Sequence, residues 1–177
     1  MIKTTKTHAF FYTEWPSNFR KTSFTWSLFG EAQHFWCTEQ AFMWAKAKFF
    51  EDAEMAANIL AEKTDPRKVK EYGRCVLGYD DFEWDKVRYR FMLEVNYARF
   101  SQDPVLKEKL LDLKFDGLTF VEASPIDKIW GIGIAQDDPR NEDPANWQGQ
   151  NLMGKVITEV RRLLVDGHQP VPVEQEL

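Results

Sequence analysis

Apolar and polar positions recur along most of the chain with the spacing of an amphipathic helix. The longest such segment covers 81–101, and its predicted buried face consists of Trp84, Val87, Phe91, Val95 and Ala98. Shorter segments predict further helices over 38–50, 51–63, 104–112 and 152–165, and one that starts with Pro66 after a cap at Thr64-Asp65 and ends near Gly73. Three short runs predict strands over 8–12, 24–29 and 118–122. We therefore expect a single compact α+β domain that is predominantly helical and has a few short strands.

The two ends of the chain differ from this periodic middle. Residues 1–9 begin with a polar stretch, and 166–177 contain glycine, two prolines and three carboxylates. We expect an N-terminal tail over 1–9, the domain over 10–165, and a flexible C-terminal tail over 166–177. The polar segment 137–150 carries four acidic residues and two prolines, and is predicted to be a mobile loop.

The helix predicted over 38–50 carries the first candidates for chemistry, and Thr38 is its expected N-cap. Glu39 and Lys46 are seven residues apart, so they project from one face, about 10 Å apart along the helix axis. A carboxylate and an amine separated by apolar residues can bracket a ligand. They can equally be solvated charges at the ends of a core helix, and the helix alone leaves both interpretations open.

Composition and charge exclude several classes of function. A net charge of −5 gives no basic field for tight binding to duplex DNA. The two cysteines and three histidines lack zinc-ligand spacing, so we predict no metal site. Gly131-Ile132-Gly133 lacks the third glycine of a dinucleotide fingerprint, and the chain has no Gly-x-Ser-x-Gly elbow or Walker loop. Without a signal-peptide core or a membrane-length apolar run, we expect a cytoplasmic protein that makes no membrane contact.

The remaining chemical groups are carboxylates, one amine and two indoles: Glu39, Glu122, Asp127, Lys46, Trp84 and Trp130. A carboxylate beside an aromatic platform is suited to cleaving glycosidic bonds, because the carboxylate handles the proton and the developing sugar cation. The aromatic ring then holds the base. A ligand-binding module uses the same groups, so composition leaves both classes open.

A series of short motifs follows in a fixed order from about residue 10 to 165. The series comprises Ser17-Asn18-Phe19, Glu39 with Lys46, Gly73-Arg74, Trp84 with Met92, Arg99-Phe100, Glu122, Asp127-x-x-Trp130-Gly131-x-Gly133 and Asn151-Leu152-x-Gly154. In this order and spacing, the motifs resemble the NADAR family, also called YbiA-like. The resemblance implies a compact, mostly helical fold with no metal and no cofactor.

The resemblance also implies an N-glycosidase, a hydrolase that acts on the N-glycosidic bond of a phosphorylated ribosyl compound. Some relatives hydrolyse early riboflavin intermediates, the ribosylaminopyrimidine phosphates, and others remove ADP-ribose from guanine in nucleic acid. The alternative is a non-catalytic module that binds ADP-ribose or a related nucleotide. The chain departs from the family at Gln40 and Ala45, where relatives often carry His and Gln. The segment 137–150 is acidic where relatives are often shorter and more basic, which argues for caution about a nucleic-acid substrate.

Three residues are assigned catalytic roles by their chemistry within this resemblance. Glu39 is the predicted general base or the stabiliser of an oxocarbenium-like sugar, with a charge complementing the helix dipole as the alternative. Lys46 either forms a Schiff base with the ring-opened sugar or pairs with a phosphate or carboxylate. Asp127 holds a ribose hydroxyl or acts as a second acid, and a turn cap is the alternative.

The predicted substrate-binding residues are Asn18, Phe19, Arg20, Arg74, Trp84, Glu122, Trp130, Gly131 and Asn151. Arg20 and Arg74 are phosphate candidates, and surface exposure alone also accounts for them. Trp84 and Trp130 are stacking candidates, although the place of Trp84 on an apolar stripe also fits a core residue. Asn151 at a helix start is either an anion contact or a helix cap.

Overall fold

Helices predominate and strands are short across residues 1–175, which the computed structural model describes. The strands are β1 (Lys3–Thr4), β2 (His8–Phe11), β3 (Lys21–Leu28), β4 (Glu31–Cys37) and β5 (Thr119–Glu122). The helices are α1 (Thr38–Phe49), α2 (Ala53–Ala61), α3 (Pro66–Arg74), α4 (Asp81–Gln102), α5 (Pro104–Leu111) and α6 (Leu152–Asp166). The α+β, predominantly helical fold predicted from the sequence is confirmed.

Residue contacts divide the chain into two compact units. The first unit combines Met1–Ser17 with Val105–Gln169, and the second combines Asn18–Pro104 with the segment from Pro170 onward. None of the helices within residues 1–175 is long and apolar enough to cross a membrane.

The first unit contains a sheet in the order β1-β2-β5, against which α6 packs. Strand β1 pairs antiparallel with β2, and β2 pairs in parallel with β5, so that His8 lies opposite Thr119 and Phe11 opposite Glu122. Beside the sheet lies a buried apolar cluster of Phe10, Val121, Ala123, Ile132 and Ile134, with Trp147 packed against it. This packing fixes the segment that follows β5, which carries several predicted site residues.

The acidic segment 137–150 contains two short 3-10 turns, Pro139–Glu142 and Pro144–Asn146, instead of an irregular loop. The side chains of Asp138 and Asp143 each accept a backbone N–H at the start of one turn, at 2.9 Å in both cases. These acidic residues therefore have local structural roles as caps.

The second unit contains the antiparallel hairpin β3–β4, packed beside α1 and α4. Phe29 and Gly30 form its two-residue turn, with φ values of 51° and 75°, the backbone geometry that matches the twist of the strands. The sequence analysis predicted a strand over 24–29 but missed β4. The first half of β4 is largely polar, and its strand conformation depends on pairing with β3.

The core of the second unit includes an aromatic cluster built around Trp84, which is 5% exposed. Its ring stacks on Phe91 with centroids 5.7 Å apart, and it lies 5.3 Å from Phe42 and 6.0 Å from Phe49. This is the core position that the sequence analysis gave as the alternative to a stacking role. The faces of the indole are covered by protein rings.

The last described residues pack onto the second unit, which differs from the flexible tail expected over 166–177. Arg90 donates to the carbonyl of Val171 at 3.1 Å, and the N–H of Val173 donates to the Glu94 carboxylate. The side chain of Val173 is buried, so an apolar contact and a backbone hydrogen bond hold this segment. Residues 176–177 of the expected tail lie outside the described residues. At the other end, the expected tail 1–9 contributes β1 and the start of β2.

The aromatic cluster generates a stability prediction. Trp84→Ala should lower the free energy of unfolding by about 3–5 kcal/mol, because it leaves a cavity among the surrounding rings. Phe82→Ala is the matched control on the same helix, since Phe82 is 71% exposed and should change stability by less than about 0.5 kcal/mol. Urea denaturation of both variants measures the difference. Equal midpoints would contradict the core role of Trp84.

Candidate functional site

The start of α1 is tied to the segment before β3. The backbone N–H of Glu39 donates to the carbonyl of Asn18 at 3.1 Å, which satisfies one of the free N–H groups of the first turn. The prediction that Thr38 is the N-cap is wrong: Cys37 holds that position in an extended conformation, and Thr38 is the first helical residue. Burial raises the pKa of Cys37 to about 12, so its thiol is protonated and unsuited to nucleophilic chemistry.

Asn18 and Glu39 are therefore neighbours in the structure. The Nδ2 of Asn18 donates to the sulfur of Met92 at 3.3 Å, and its Oδ1 is buried with no hydrogen-bond partner in the described part of the chain. An acceptor in this state can take a hydrogen bond from a ligand hydroxyl. Glu39 is 5% exposed and lies in the first turn of α1, where the helix dipole favours a carboxylate.

Gln40, the position at which the chain departs from the family, has a structural role that the sequence did not reveal. Its Nε2 donates to the carbonyl oxygens of Ile59 at 3.0 Å and Glu62 at 2.8 Å. Its Oε1 accepts from the backbone N–H of Trp36 at 3.3 Å. The side chain therefore satisfies carbonyls at the C-terminal end of α2 and joins α1 to α2 and β4.

Lys46 is 9% exposed, and its amine is held between α3 and the connection from α3 to α4. Nζ donates to the carbonyl of Gly73 at 2.8 Å and lies 3.8 Å from the centroid of the Tyr79 ring. Burial lowers the pKa of Lys46, and the negative charge of Asp81 opposes this shift. The amine is therefore easier to deprotonate than that of a solvated lysine.

Sequence reasoning missed Tyr79, because nothing in the local pattern marks it. At Gly73, the lack of a side chain allows α3 to pack closely against α1. A Cβ at Gly73 would lie 1.9 Å from the sulfur of Met43, so any other residue there would require the Met43 side chain to move. This close approach brings the Gly73 carbonyl to Lys46.

The other candidates of the second unit are more peripheral. Phe19 is half-buried, with the amine of Lys70 5.8 Å from its ring. Arg20 and Arg74 are both exposed, so either can reach a phosphate in solvent. Their roles stay predictions.

In the first unit, Asp127 and Trp130 lie on one tight turn after β5. The Oδ1 of Asp127 accepts from the backbone N–H groups of Ile129 at 2.9 Å and Trp130 at 2.7 Å. This is the turn cap that the sequence analysis gave as the alternative for Asp127. Trp130 is half-buried, and its carbonyl accepts from the N–H of Met153 at 3.0 Å.

Gly131 is required by packing within the same unit. A Cβ there would lie 2.9 Å from the carbonyl oxygen of Asp127 and 3.0 Å from that of Glu122. Its own carbonyl accepts from the N–H of Asn151 at 3.1 Å. Gly131 therefore allows the turn, β5 and the start of α6 to pack closely, and this accounts for glycine without a ligand.

Asn151 does not cap α6 with its side chain, so that expectation is wrong. It stands at the N-cap position with φ 53° and ψ 38°, a left-handed conformation that asparagine tolerates better than most residues. Its Oδ1 accepts from the N–H of Glu122 at 2.9 Å, and its Nδ2 donates to the carbonyl of Phe120 at 3.1 Å. The amide therefore fixes β5 to the start of α6.

The predicted site residues thus form two sets, one in each unit. In the second unit, Asn18 contacts Glu39, and Lys46 lies two turns further along α1. In the first unit, hydrogen bonds and close packing connect Glu122, Asp127, Trp130, Gly131 and Asn151. Residues 1–175 contain no group of three or more His, Cys, Asp or Glu side chains arranged to hold a metal ion.

Comparison with known proteins identifies the family. Residues 2–165 match the NADAR domain. The chain is 40% identical over 132 residues to Protein irg-1 of Caenorhabditis elegans, covering 73% of this chain and 61% of that protein. It is 39% identical over 123 residues to N-glycosidase R617 of Acanthamoeba polyphaga mimivirus, covering 70% of this chain and 71% of that protein. The chain belongs to the NADAR family, as its motif order predicted.

The fold is also similar to a solved structure, the NMR structure of the Escherichia coli protein YbiA. The TM-score is 0.69 at 21% identity, covering 94% of this chain and 89% of YbiA. The YbiA-like fold predicted from the sequence is therefore confirmed. The chain spans about three-fifths of the length of the C. elegans relative.

The turn at Asp127 generates a prediction that separates its two roles. Asp127→Asn keeps Oδ1 and both backbone hydrogen bonds, so its thermal midpoint should match the wild type. Asp127→Ala removes both bonds and should lower stability by about 0.5–2 kcal/mol, the usual range for a lost cap. Thermal denaturation of the pair measures this difference. An equally strong loss of stability in Asp127→Asn would contradict the cap role and show that the charge itself is required for folding.

Proposed function

We propose that this protein is an N-glycosidase that hydrolyses the N-glycosidic bond of a phosphorylated ribosyl compound. Membership of the NADAR family and the likeness to a protein named N-glycosidase support this proposal. The observation that carries it is the pair of ionisable side chains on α1. Glu39 and Lys46 are both at least nine-tenths buried and stand two helical turns apart. Burying two ionisable side chains costs folding free energy, and such residues are found most often at functional sites.

Glu39 supplies negative charge as the glycosidic bond breaks. The bond electrons leave with the base, and the sugar carbon C1′ and its ring oxygen become positively charged. A carboxylate that is shielded from water stabilises this charge more strongly than a solvated one. The neighbouring Oδ1 of Asn18 can accept a hydrogen bond from a ribose hydroxyl and hold the sugar in place.

Lys46 acts as a nucleophile in this proposal. Its neutral amine bonds to C1′ while the bond from C1′ to the base breaks, and the base takes up a proton. Opening of the sugar ring gives a Schiff base, which water hydrolyses to release the sugar and the amine. The lowered pKa supports this role over anion binding, as does the absence of a carboxylate hydrogen-bonded to Nζ among the described residues.

Two substrates fit this chemistry, a ribosylaminopyrimidine phosphate of the early riboflavin pathway and ADP-ribose attached to guanine. The acidity of 137–150 is a weaker argument against nucleic acid than the sequence suggested. Asp138 pairs with Arg140 at 2.6 Å, and Glu142 pairs with Lys3 at 2.7 Å. Two of the four acidic side chains of this segment are therefore balanced by nearby cations.

One assay tests the proposal and separates it from a non-catalytic binding module. The protein is incubated with ADP-ribosylated guanosine and, separately, with the ribosylaminopyrimidine phosphate, and free base is followed by chromatography. We expect release of base from one of them. Binding of either compound by calorimetry, with no release of base from either, would instead support the binding module.

Glu39→Gln keeps the shape of the side chain and removes its charge. We expect the variant to fold and its kcat to fall roughly 100-fold or more, since the developing sugar cation loses its counter-charge. Glu54→Gln is the matched control, because Glu54 is an exposed first-turn carboxylate of α2. Steady-state kinetics and a thermal melt measure both variants. Wild-type turnover by Glu39→Gln would exclude this role for the carboxylate.

Lys46→Arg distinguishes the two roles of the amine. An anion-binding role tolerates arginine, whereas a covalent role does not, because the guanidinium stays protonated. We expect Lys46→Arg to be inactive, and borohydride to trap a sugar adduct on Lys46 of the wild type during turnover, detected by mass spectrometry. Lys48→Arg, on the same helix, should remain active. An active Lys46→Arg variant without a trappable adduct would support anion binding instead.

A further inference from the structure

Lys46 cannot react in the arrangement that the structure shows, because the Tyr79 ring lies directly over its amine. The distance from Nζ to the ring centroid is 3.8 Å. Two non-bonded heavy atoms need about 3.5 Å of separation, so an atom placed between Nζ and the ring would require about 7 Å. The sugar carbon therefore has no room to approach Nζ from this side.

The second contact of the amine is with a less movable group. The carbonyl of Gly73 occupies one side at 2.8 Å, and it belongs to the backbone of α3. Lys46 itself is 9% exposed. Tyr79 is 41% exposed, so among these contacts its ring is the one that can turn into solvent without opening the core.

We propose that Tyr79 is a positioning residue that covers Lys46, and that its ring has to turn away before an electrophilic carbon can bond to Nζ. This inference deepens the nucleophilic role of Lys46 in the proposed function. The covered state keeps water from the amine, and the uncovered state admits the sugar.

The surroundings of Tyr79 restrict the movement to the side chain and one or two backbone residues. The N–H of Leu77 donates to the carboxylate of Asp52 at 2.8 Å, which anchors the connection before Tyr79. The side chain of Asp80 caps α4 by accepting from the N–H of Glu83 at 2.9 Å, which anchors it after Tyr79. Gly78 lies between the anchors with φ 70°, a conformation that glycine adopts without strain.

Two contacts hold the ring in the covering position. Its hydroxyl donates to the carboxylate of Asp81, and its edge packs against Phe50 with centroids 5.4 Å apart. The face of the ring also attracts the ammonium form of Lys46.

The test measures access to Lys46 without any glycoside. Trace acetic anhydride labels neutral amines, and peptide mass spectrometry gives the rate at each lysine. Rates are compared at the alkaline plateau, where Lys46 is neutral in every variant, so that differences in its pKa do not enter. We expect Tyr79→Ala and Tyr79→Ser to label Lys46 at least roughly tenfold faster than the wild type. Tyr79→Phe keeps the ring but loses the hydrogen bond to Asp81, so its rate should lie between that of the wild type and that of Tyr79→Ala.

Phe82→Ala is the matched control, because Phe82 is an exposed ring close in sequence that does not cover Lys46. Lys48 serves as the internal reference in every digest. Equal rates at Lys46 in the wild type, Tyr79→Ala and Tyr79→Ser would overturn the proposal, and so would a Tyr79→Phe rate equal to that of Tyr79→Ala. The labelling does not depend on turnover, so an inactive protein would count against the proposed function and leave this result intact.

A kinetic comparison follows for the substrate that the base-release assay identifies. Tyr79→Phe keeps the ring and should lower kcat less than Tyr79→Ala does, with KM unchanged. Tyr79→Ala should lower kcat with little change in KM, because the amine is then poorly positioned and solvated while the binding contacts remain. A purely structural role for Tyr79 would instead lower the melting temperature of both variants and leave kcat of the folded fraction unchanged.

Discussion

Helix α1 is buried from Thr38 to Ala47, and this burial determines how its polar side chains behave. A charged or polar group inside a protein needs hydrogen bonds or an electrostatic partner to offset the loss of water. Gln40 meets this requirement by binding backbone carbonyls of α2. Lys46 meets it with the Gly73 carbonyl and the face of the Tyr79 ring. These two contacts hold the amine in place, and burial lowers its pKa, which suits it to the proposed nucleophilic role.

The same arrangement depends on the close contact between α1 and α3. Gly73 packs against Met43 with no space for a side chain, and its carbonyl consequently reaches Lys46. A larger residue at Gly73 would have to displace the Met43 side chain or shift α3, and a shift of α3 would alter the hydrogen bond that orients the amine. The packing of an apolar side chain on α1 thus controls the geometry of a charged one on the next turn.

Helices were predicted well from the sequence because their signals are local. Periodic apolar positions and capping residues such as Asp80 placed the predicted helix limits within two residues of those observed. Strand β4 was missed because its pairing with β3 is not visible in its own polar first half. The cap at Thr38 was wrong because the first-turn N–H of Glu39 binds Asn18, a partner 21 residues away in sequence. Tyr79 could not be predicted either, since its role depends on a tertiary contact with Lys46 that no local pattern encodes.

The side chains predicted to form the site differ in how much of their hydrogen-bonding capacity the fold already uses. In the first unit, one oxygen of Asp127 and both ends of the Asn151 amide bind backbone groups, so these residues have clear structural roles. In the second unit, the Oδ1 of Asn18 is buried without a hydrogen-bond partner among the described residues. A buried polar atom without a hydrogen bond lowers the stability of the fold, and a bound sugar would supply the missing hydrogen bond. Asn18, beside the first turn of α1, is therefore a candidate substrate contact, whereas the turn at Asp127 is primarily part of the framework.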